Sequence, residues 1–400
     1  MVKGGIHISA FFCLGRIIMA DFVFRVSPNI VLGSYTVSRL GQFTNEIGSK
    51  FMVVLDPILK QVGISEKVTK PLDDGKIDYF IFDSVEGIAT TQMVEQALSL
   101  ARGAHIQGVI GVGGTQALNL AKIVCEVYYE KQDFYEFIDG AIPSTNPLPL
   151  ICVPSTIRNP YVFSSFTPIV DSRSNSTKII KNKNAICKLA LFDPNLTVSL
   201  SENQLSSMSL EVLCLATEAY ISPKASFFSD MVAEKAVEFT GYALDGAPSL
   251  MVTTPSEVLL SQGGCMAGLA SSTSSQGAAT LLALSTYTKY GISQSLVTSI
   301  LFPYVIEDSA KFKGDRIARL AKILRVAQED AGDEEACAAY ADYIRKKIAK
   351  SNLPARLKDL QVSIEQFSSA VEDAGKLEIM NFLPRSMTND DLFDLMKLAY

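Results

Sequence analysis

The sequence predicts an α/β N-terminal domain followed by an all-helical C-terminal domain, and three observations carry that prediction. Short, wholly apolar runs recur through the first half and alternate with amphipathic stretches, as in a parallel sheet buried on both faces. One run, Val109–Val112, passes through a Gly113–Gly114 turn into a helix whose apolar face is Ala117, Leu120, Ala121, Val124 and Cys125. Past Asp193–Pro194 nearly every segment repeats with a helical period instead. The expected division is an extension over 1–18, an α/β domain over 19–199 and a helical domain over 200–400.

Composition narrows the function classes. With 400 residues, 48% of them hydrophobic, the chain can bury the cores of two domains. A net charge of −6 offers no electrostatic footing for nucleic acid or an anionic membrane. The richest apolar region, Ser295–Ile306, is too short and too broken to span a bilayer. Seven scattered cysteines without a C-x-x-C point to reduced thiols and a cytoplasmic location. There are two histidines, His7 and His105, and that shortage limits the chemistry more than any other feature.

In chain order, Met1–Ile18 makes a poor secretory signal and reads as an extension ahead of a start at Met19. Phe22, Phe24 and Val26 with Ile30–Leu32 suggest a hairpin-like pair. Phe51–Asp56 is a buried strand ending in an acid, either a ligand to something above the sheet edge or a loop cap. Tyr79–Phe82 is a strand, Thr90–Arg102 an amphipathic helix, and Leu150–Val153 a strand leading into the loop Pro154–Pro160. Phe163–Val170 and Leu189–Phe192 read as further strands. Ser201 and Gln204 have capping-box spacing. Helices are expected within Leu210–Ile221, Met231–Leu244, Glu257–Leu269, Thr280–Tyr287, Leu296–Ile306, Asp315–Gln328, Glu334–Ala349, Ile364–Val371 and Asp391–Ala399.

A glycine turn between strand and helix aims free N–H groups and the positive end of the helix dipole above the sheet edge, which suits a phosphate. By itself this signal is weak, since such turns are often only tight connections. Small residues at Ser271–Thr280 either line a polar cleft or let helices pack closely.

The strings LPLICVPST, LFDPNLTVSL, TEAYIS, ILFPYVIE and LPRSMTNDDL, in this order between Phe22 and Tyr400, resemble the iron-containing (group III) alcohol dehydrogenase family. The resemblance implies a Rossmann-like nucleotide-binding domain, NAD or NADP as cofactor, a small-molecule substrate in the interdomain cleft, and a homodimer. It implies cofactor contacts from Asp56, from Gly113, Gly114, Thr115 and Asn119 of the phosphate turn, from Ser155 and Thr156, and from Lys178. The metal enzymes of that family hold iron or zinc with an aspartate and three histidines. Here those positions fall on Glu211, Leu215, Thr280 and Gln294, and there is no histidine beyond residue 105. Leu215 has no donor atom, so no metal is expected.

The loop resembling T-T-A-G-T-G-S-E reads Ser155, Thr156, Ile157, Arg158, Asn159, Pro160, Tyr161, Val162. Pro160 removes an N–H and fixes φ, so the loop must take another path. Arg158 is either a fork for phosphate or carboxylate, or a solvated loop residue. Without a metal to acidify an alcohol, catalysis needs a positioned acid or base. Glu211 and Tyr161 are the candidates, with Glu218, Lys178 and Cys214 behind them. A metal-independent branch resembling maleylacetate reductases offers a precedent for hydride transfer, although its members keep histidines absent here. Three readings stand: a metal-independent NAD(P)-linked oxidoreductase acting on a small alcohol, aldehyde, ketone or activated alkene, a non-catalytic relative binding a nucleotide or protein, and, well behind, a metal-dependent alcohol dehydrogenase.

Overall fold

A computed structural model of the chain describes residues 28–85, 87–182, 184, 187–246 and 254–400. The expected extension, and the Phe22–Val26 half of the hairpin-like pair, lie outside these residues. Six strands form one parallel sheet: β1 (Asn29–Leu32), β2 (Lys50–Leu55), β3 (Asp78–Phe82), β4 (Gly108–Gly113), β5 (Leu150–Pro154) and β8 (Leu189–Phe192). Their order is β1-β8-β5-β4-β2-β3. The pair β6 (Phe166–Asp171) and β7 (Ser176–Lys181) forms a separate antiparallel ribbon. Two expectations are corrected here. Ile30–Leu32 is a parallel edge strand on β8, with Ile30 opposite Ala190, and β7 occupies a stretch for which no strand was expected.

Strand alternation divides the apolar side chains between two faces. Phe51, Val53, Leu55, Ile110 and Val112 meet α2 (Pro57–Gln61) and α3 (Glu66–Asp74), which follow the short α1 (Leu40–Asn45). Met52, Val54 and Val109 meet α4 (Thr91–Ala104) and α5 (Thr115–Val127), with α6 (Phe134–Ile138) beyond. The chain adds β3 to one side of β2 and β4 to the other. Crossovers between parallel strands are right-handed, so reversing direction sends the next helix to the opposite face. The carboxyl ends of β2 and β4 therefore open onto a crevice, where sheets of this kind bind ligands.

From residue 202 the structure is helical: α7 (Glu202–Ile221), α8 (Phe227–Asp245), α9 (Ser256–Thr273), α10 (Ala278–Tyr290), α11 (Gln294–Ile323), α12 (Asp333–Lys350), α13 (Ile364–Gly375) and α14 (Asn389–Leu398). The Ser201–Gln204 capping box is formed in both directions, so α7 begins two turns before its apolar period becomes legible. The separate helices expected around 296–306 and 315–328 are one run interrupted at Lys313 (φ −137°, ψ 34°). The six cysteines among the described residues are free and buried. No helix of the described residues is long and apolar enough to cross a membrane.

Helix α9 lies directly on the loop after β5. A Cβ at Gly264 would stand 1.7 Å from the Ile157 carbonyl oxygen, a backbone atom with no freedom to move aside. Gly264→Ala is expected to destabilise the fold by at least about 1–3 kcal/mol, as overpacking does, read as a lower urea midpoint at unchanged slope. Gly103→Ala on α4, where an added Cβ meets nothing, is expected to stabilise the fold by up to about 1 kcal/mol, read as a higher midpoint.

Candidate active site

Asp56, Gly113, Gly114, Thr115, Ser155 and Thr156 come together above the carboxyl ends of β2, β4 and β5. Gly113 has φ +142°, and a Cβ there would lie 2.4 Å from that of Asp56, so only glycine turns the chain this sharply. The Asp56 carboxylate accepts the N–H groups of Gly114 and Ile58, both at 3.3 Å, so it caps α2 and closes the glycine turn together. Ser155 N–H donates to the Gly113 carbonyl at 3.0 Å, tying the β5 loop to the same turn. Gly114 has no side chain to cap α5, and beyond the Gly114 N–H that Asp56 takes, the first-turn N–H groups of the helix have no side-chain acceptor among the described residues.

The other two residues of the expected cofactor set part company. Asn119 lines the crevice and donates to the Pro168 carbonyl at 3.1 Å. Lys178 sits mid-strand on β7, where its neighbours Thr177 and Ile179 line pockets. Alternation turns Lys178 the other way, and its charge is felt by Asp139 at the end of α6. Thr177, not Lys178, faces the crevice and shares a 2.7 Å hydrogen bond with Thr288 of α10.

Arg158 is the centre of the site. Only 8% exposed, it is no solvated loop residue. Its Nη1 donates to Thr115 Oγ1 at 2.7 Å, its Nη2 to Gln294 Oε1, and its Nε lies 2.6 Å from Glu211 Oε2. Ser295 Oγ donates to the same Glu211 oxygen. One guanidinium thus joins α5, the helix after the glycine turn, with α7 and α11.

The four positions corresponding to metal ligands do not fit a metal. Glu211 and Gln294 already turn their oxygens to a cation with five N–H donors and no acceptor. Leu215 is core, 2% exposed. Thr280 donates its hydroxyl to Glu218 at 2.6 Å. No group of three or more His, Cys, Asp or Glu able to hold an ion occurs among the described residues.

Glu218 is structural. It accepts N–H groups from Gly277 (2.9 Å), Ala279 (2.8 Å) and Thr280 (3.3 Å), a cap for α10 supplied by α7. Burial raises its pKa above the usual carboxylate range, with these bonds pulling the other way. Burial likewise pushes the Cys214 thiol well up, so it is no thiolate nucleophile.

Tyr161 is buried in the wall between two pockets. One, of about 270 Å³, lies beside Thr115, Gln116 and Asn119 and is closed by Tyr287 and Thr288 of α10. The other, of about 590 Å³ with the solvent at its mouth included, is lined by Phe166, Ile179, Ser271, Gln276 and Phe382. Tyr161, Pro168 and Leu284 border both. The Tyr161 hydroxyl lies 3.4 Å from Gln276 Oε1, and burial raises its pKa far above that of a free phenol, so it stays protonated. Gln276 and Thr177 escaped the sequence reading; the small-residue run at 271–280 was the sole hint of the larger pocket.

Beneath Tyr161, Lys122 donates to the carbonyls of Tyr161 (3.1 Å) and Ser164, fixing that loop. Its neighbour one turn on, Glu126, accepts from Thr167 at 3.0 Å with its other oxygen unpartnered.

Two family models match the chain: iron-containing alcohol dehydrogenase over residues 27–194, and the Fe-containing alcohol dehydrogenase family, C-terminal, over residues 206–400. The chain belongs to the iron-containing alcohol dehydrogenase family. It is similar to long-chain-alcohol dehydrogenase 1 of Geobacillus thermodenitrificans, 24% identical over 89% of this chain and 90% of that one. It is also similar to lactaldehyde reductase of Escherichia coli, 23% identical over 90% and 96%. A 1,3-propanediol oxidoreductase structure superposes with a TM-score of 0.88 at 21% identity, covering 95% of this chain and all of that one. An alcohol dehydrogenase from Oenococcus oeni gives 0.87 at 19%, with the same coverage. The side chains just described do not fit the iron that the family's name carries.

Two predictions follow from the buried charges. Arg158→Met strands the Glu211 carboxylate and is expected to cost about 3–5 kcal/mol, whereas Arg158→Met with Glu211→Met recovers most of it. Chemical denaturation of both variants is the check. Burial raises the Glu126 pKa from 4.5 to about 8. A raised folded-state pKa favours folding fully below the unfolded value and loses that advantage as pH climbs through the folded one. Glu126→Gln is therefore expected to gain stability relative to the parent steadily between pH 4.5 and 8.

Proposed function

We propose that this protein is a metal-independent NAD(P)-linked oxidoreductase acting on a small alcohol, aldehyde, ketone or activated alkene. The observation that carries the reading is the position of Tyr161, a protonated phenol shared by the crevice beside the phosphate turn and the larger pocket. The cofactor diphosphate lies on the first-turn N–H groups of α5, with Asp56, Gly113, Gly114, Thr115, Asn119, Ser155 and Thr156 around it. When bound, the nicotinamide supplies or accepts the hydride. The chain's own part is to hold a proton at Tyr161 Oη and to exclude water. Glu211, the other candidate acid or base, is held in its ion pair with Arg158 and faces neither pocket. Similar proteins include an NADPH-dependent butanol dehydrogenase of Clostridium saccharobutylicum and NADH-dependent butanol dehydrogenase A of Thermotoga maritima, which support a nicotinamide cofactor of either kind.

The second reading, a non-catalytic relative that binds a nucleotide or a protein, gains from the wall of Tyr161, Pro168 and Leu284 between the pockets. It also gains from the small volume of the crevice.

NADH or NADPH is expected to raise the melting temperature, by an amount equivalent to about 2.7 kcal/mol at a hundredfold excess over its dissociation constant. EDTA is expected to leave both stability and turnover unchanged. Tyr161→Phe is expected to lower turnover roughly 10²–10⁴-fold while the cofactor shift persists. A cofactor shift with no turnover across aldehydes, ketones and activated alkenes supports the second reading, and a tight stoichiometric metal in the purified protein overturns the first.

A further inference from the structure

The larger pocket has two unlike parts. Its body is apolar, built from Phe166, Pro168, Ile179, Leu284 and Ile379. Its lining includes the buried Tyr161, shared with the crevice, and Lys224, which is exposed.

Lys224 carries the charge of interest. Its ammonium sits 3.1 Å from the centroid of the Phe382 ring, another lining residue, so the aromatic face holds it at the mouth. Among the described residues no carboxylate forms an ion pair with it. Glu378, the acid that also lines the pocket, is paired with Lys181 of β7 instead. Burial draws the Lys224 pKa below the ordinary lysine range, with Glu378 offsetting part of that pull.

A second polar group points to a ligand independently. The Ser271 hydroxyl lines the pocket, is 5% exposed and has no hydrogen-bond partner. Its neighbours are all engaged: Ser272 with the Leu269 carbonyl, Ser274 with that of Ala219, and Ser275 with that of Gln276. Buried hydroxyls are rarely left unpaired. A mostly apolar pocket whose lining also carries an unpaired cation and an unsatisfied hydroxyl fits a short amphiphile with an anionic head.

We infer that this pocket takes a short-chain carboxylate bearing a carbonyl or hydroxyl at its far end, an oxo or hydroxy acid, and that Lys224 selects it by its charge. Placing the reactive end toward Tyr161 rests on the oxidoreductase reading; binding of the carboxylate does not. The ammonium meets the carboxylate at the mouth, the chain carbons displace water from Phe166, Ile179 and Leu284, and Ser271 hydrogen-bonds the ligand within. A neutral alcohol of equal length leaves Lys224 unpaired and gains only the apolar contact.

The test is calorimetric binding of butyrate, its uncharged isostere butyramide and 4-hydroxybutyrate to the full chain, to Lys224→Met and to Ser271→Ala. Butyrate is expected to bind the parent at least about tenfold more tightly than butyramide, the low end of what a hydrogen bond to a charged group contributes. Lys224→Met is expected to abolish that preference and leave butyramide unchanged. Ser271→Ala is expected to leave butyrate and butyramide unchanged, since their far end is a methyl group, and to weaken 4-hydroxybutyrate, whose far hydroxyl is the group that Ser271 meets. Equal affinity for butyrate and butyramide, or a butyrate preference that survives Lys224→Met, overturns the inference. If butyrate binds as expected but 4-oxobutanoate is not turned over with NADH or NADPH, the pocket assignment stands and the oxidoreductase reading fails. Turnover of butanal and 4-oxobutanoate with equal kcat/KM sinks the charge selection while leaving the enzyme reading intact.

Discussion

Everything at the centre of this molecule is arranged around one buried cation, the guanidinium of Arg158. It meets a hydroxyl from the helix after the glycine turn, a carboxylate from α7 and an amide oxygen from α11. A charge so deeply placed persists only when paired and hydrogen-bonded, so the three partners are fixed as firmly as the arginine. A divalent ion and a guanidinium both satisfy carboxylate and amide oxygens. The ion needs converging lone pairs on all sides, whereas the guanidinium brings its own donors in a plane. The site keeps two oxygen donors and gives up the rest, which suits the second kind of cation and not the first.

The surrounding architecture makes that contact possible. Gly264 lets α9 lie against the Ile157 carbonyl, and Asn159 donates to the Thr156 carbonyl at 2.8 Å, so the loop is held on both flanks of Arg158. Pro160 ends the turn, and Lys122 fixes the carbonyls beyond it. Tyr161 is thereby placed in the partition between the pockets by contacts that lie underneath it. The α/β half contributes the crevice, and the helical half contributes the roof through α10.

Much of this was legible in the order of residues. The apolar runs at 51–55, 109–112 and 150–153 are the central strands because they are buried on both faces, a demand that admits few polar positions. The capping box at Ser201 marked a helix start that hydrophobic period alone would have put two turns late. Where the reading failed, the cause was long range. β7, with two lysines, a serine and a threonine in six residues, shows no strand pattern in the sequence and becomes a strand because β6 pairs with it. Lys178, expected among the cofactor contacts, is turned away from the crevice by strand alternation, which brings Thr177 to it instead. Lys313 interrupts a helix whose two halves look independent in sequence, since their packing on α7 and α12 joins them.

Taken by itself, the sequence established the α/β-then-helical fold, the family, the glycine turn and the lack of imidazole donors in the second half. These depend on side-chain chemistry and periodicity, properties a residue carries with it. The direction of Arg158 was decided only by the tertiary structure, because its partners lie 43, 53 and 136 residues away and their oxygens converge only after both halves have packed. The same holds for the pocket whose mouth is Lys224. Its walls come from β6, β7, α9, α10 and the 3-10 turn Glu378–Phe382, and no local pattern places a lone ammonium over a ring from the far end of the chain.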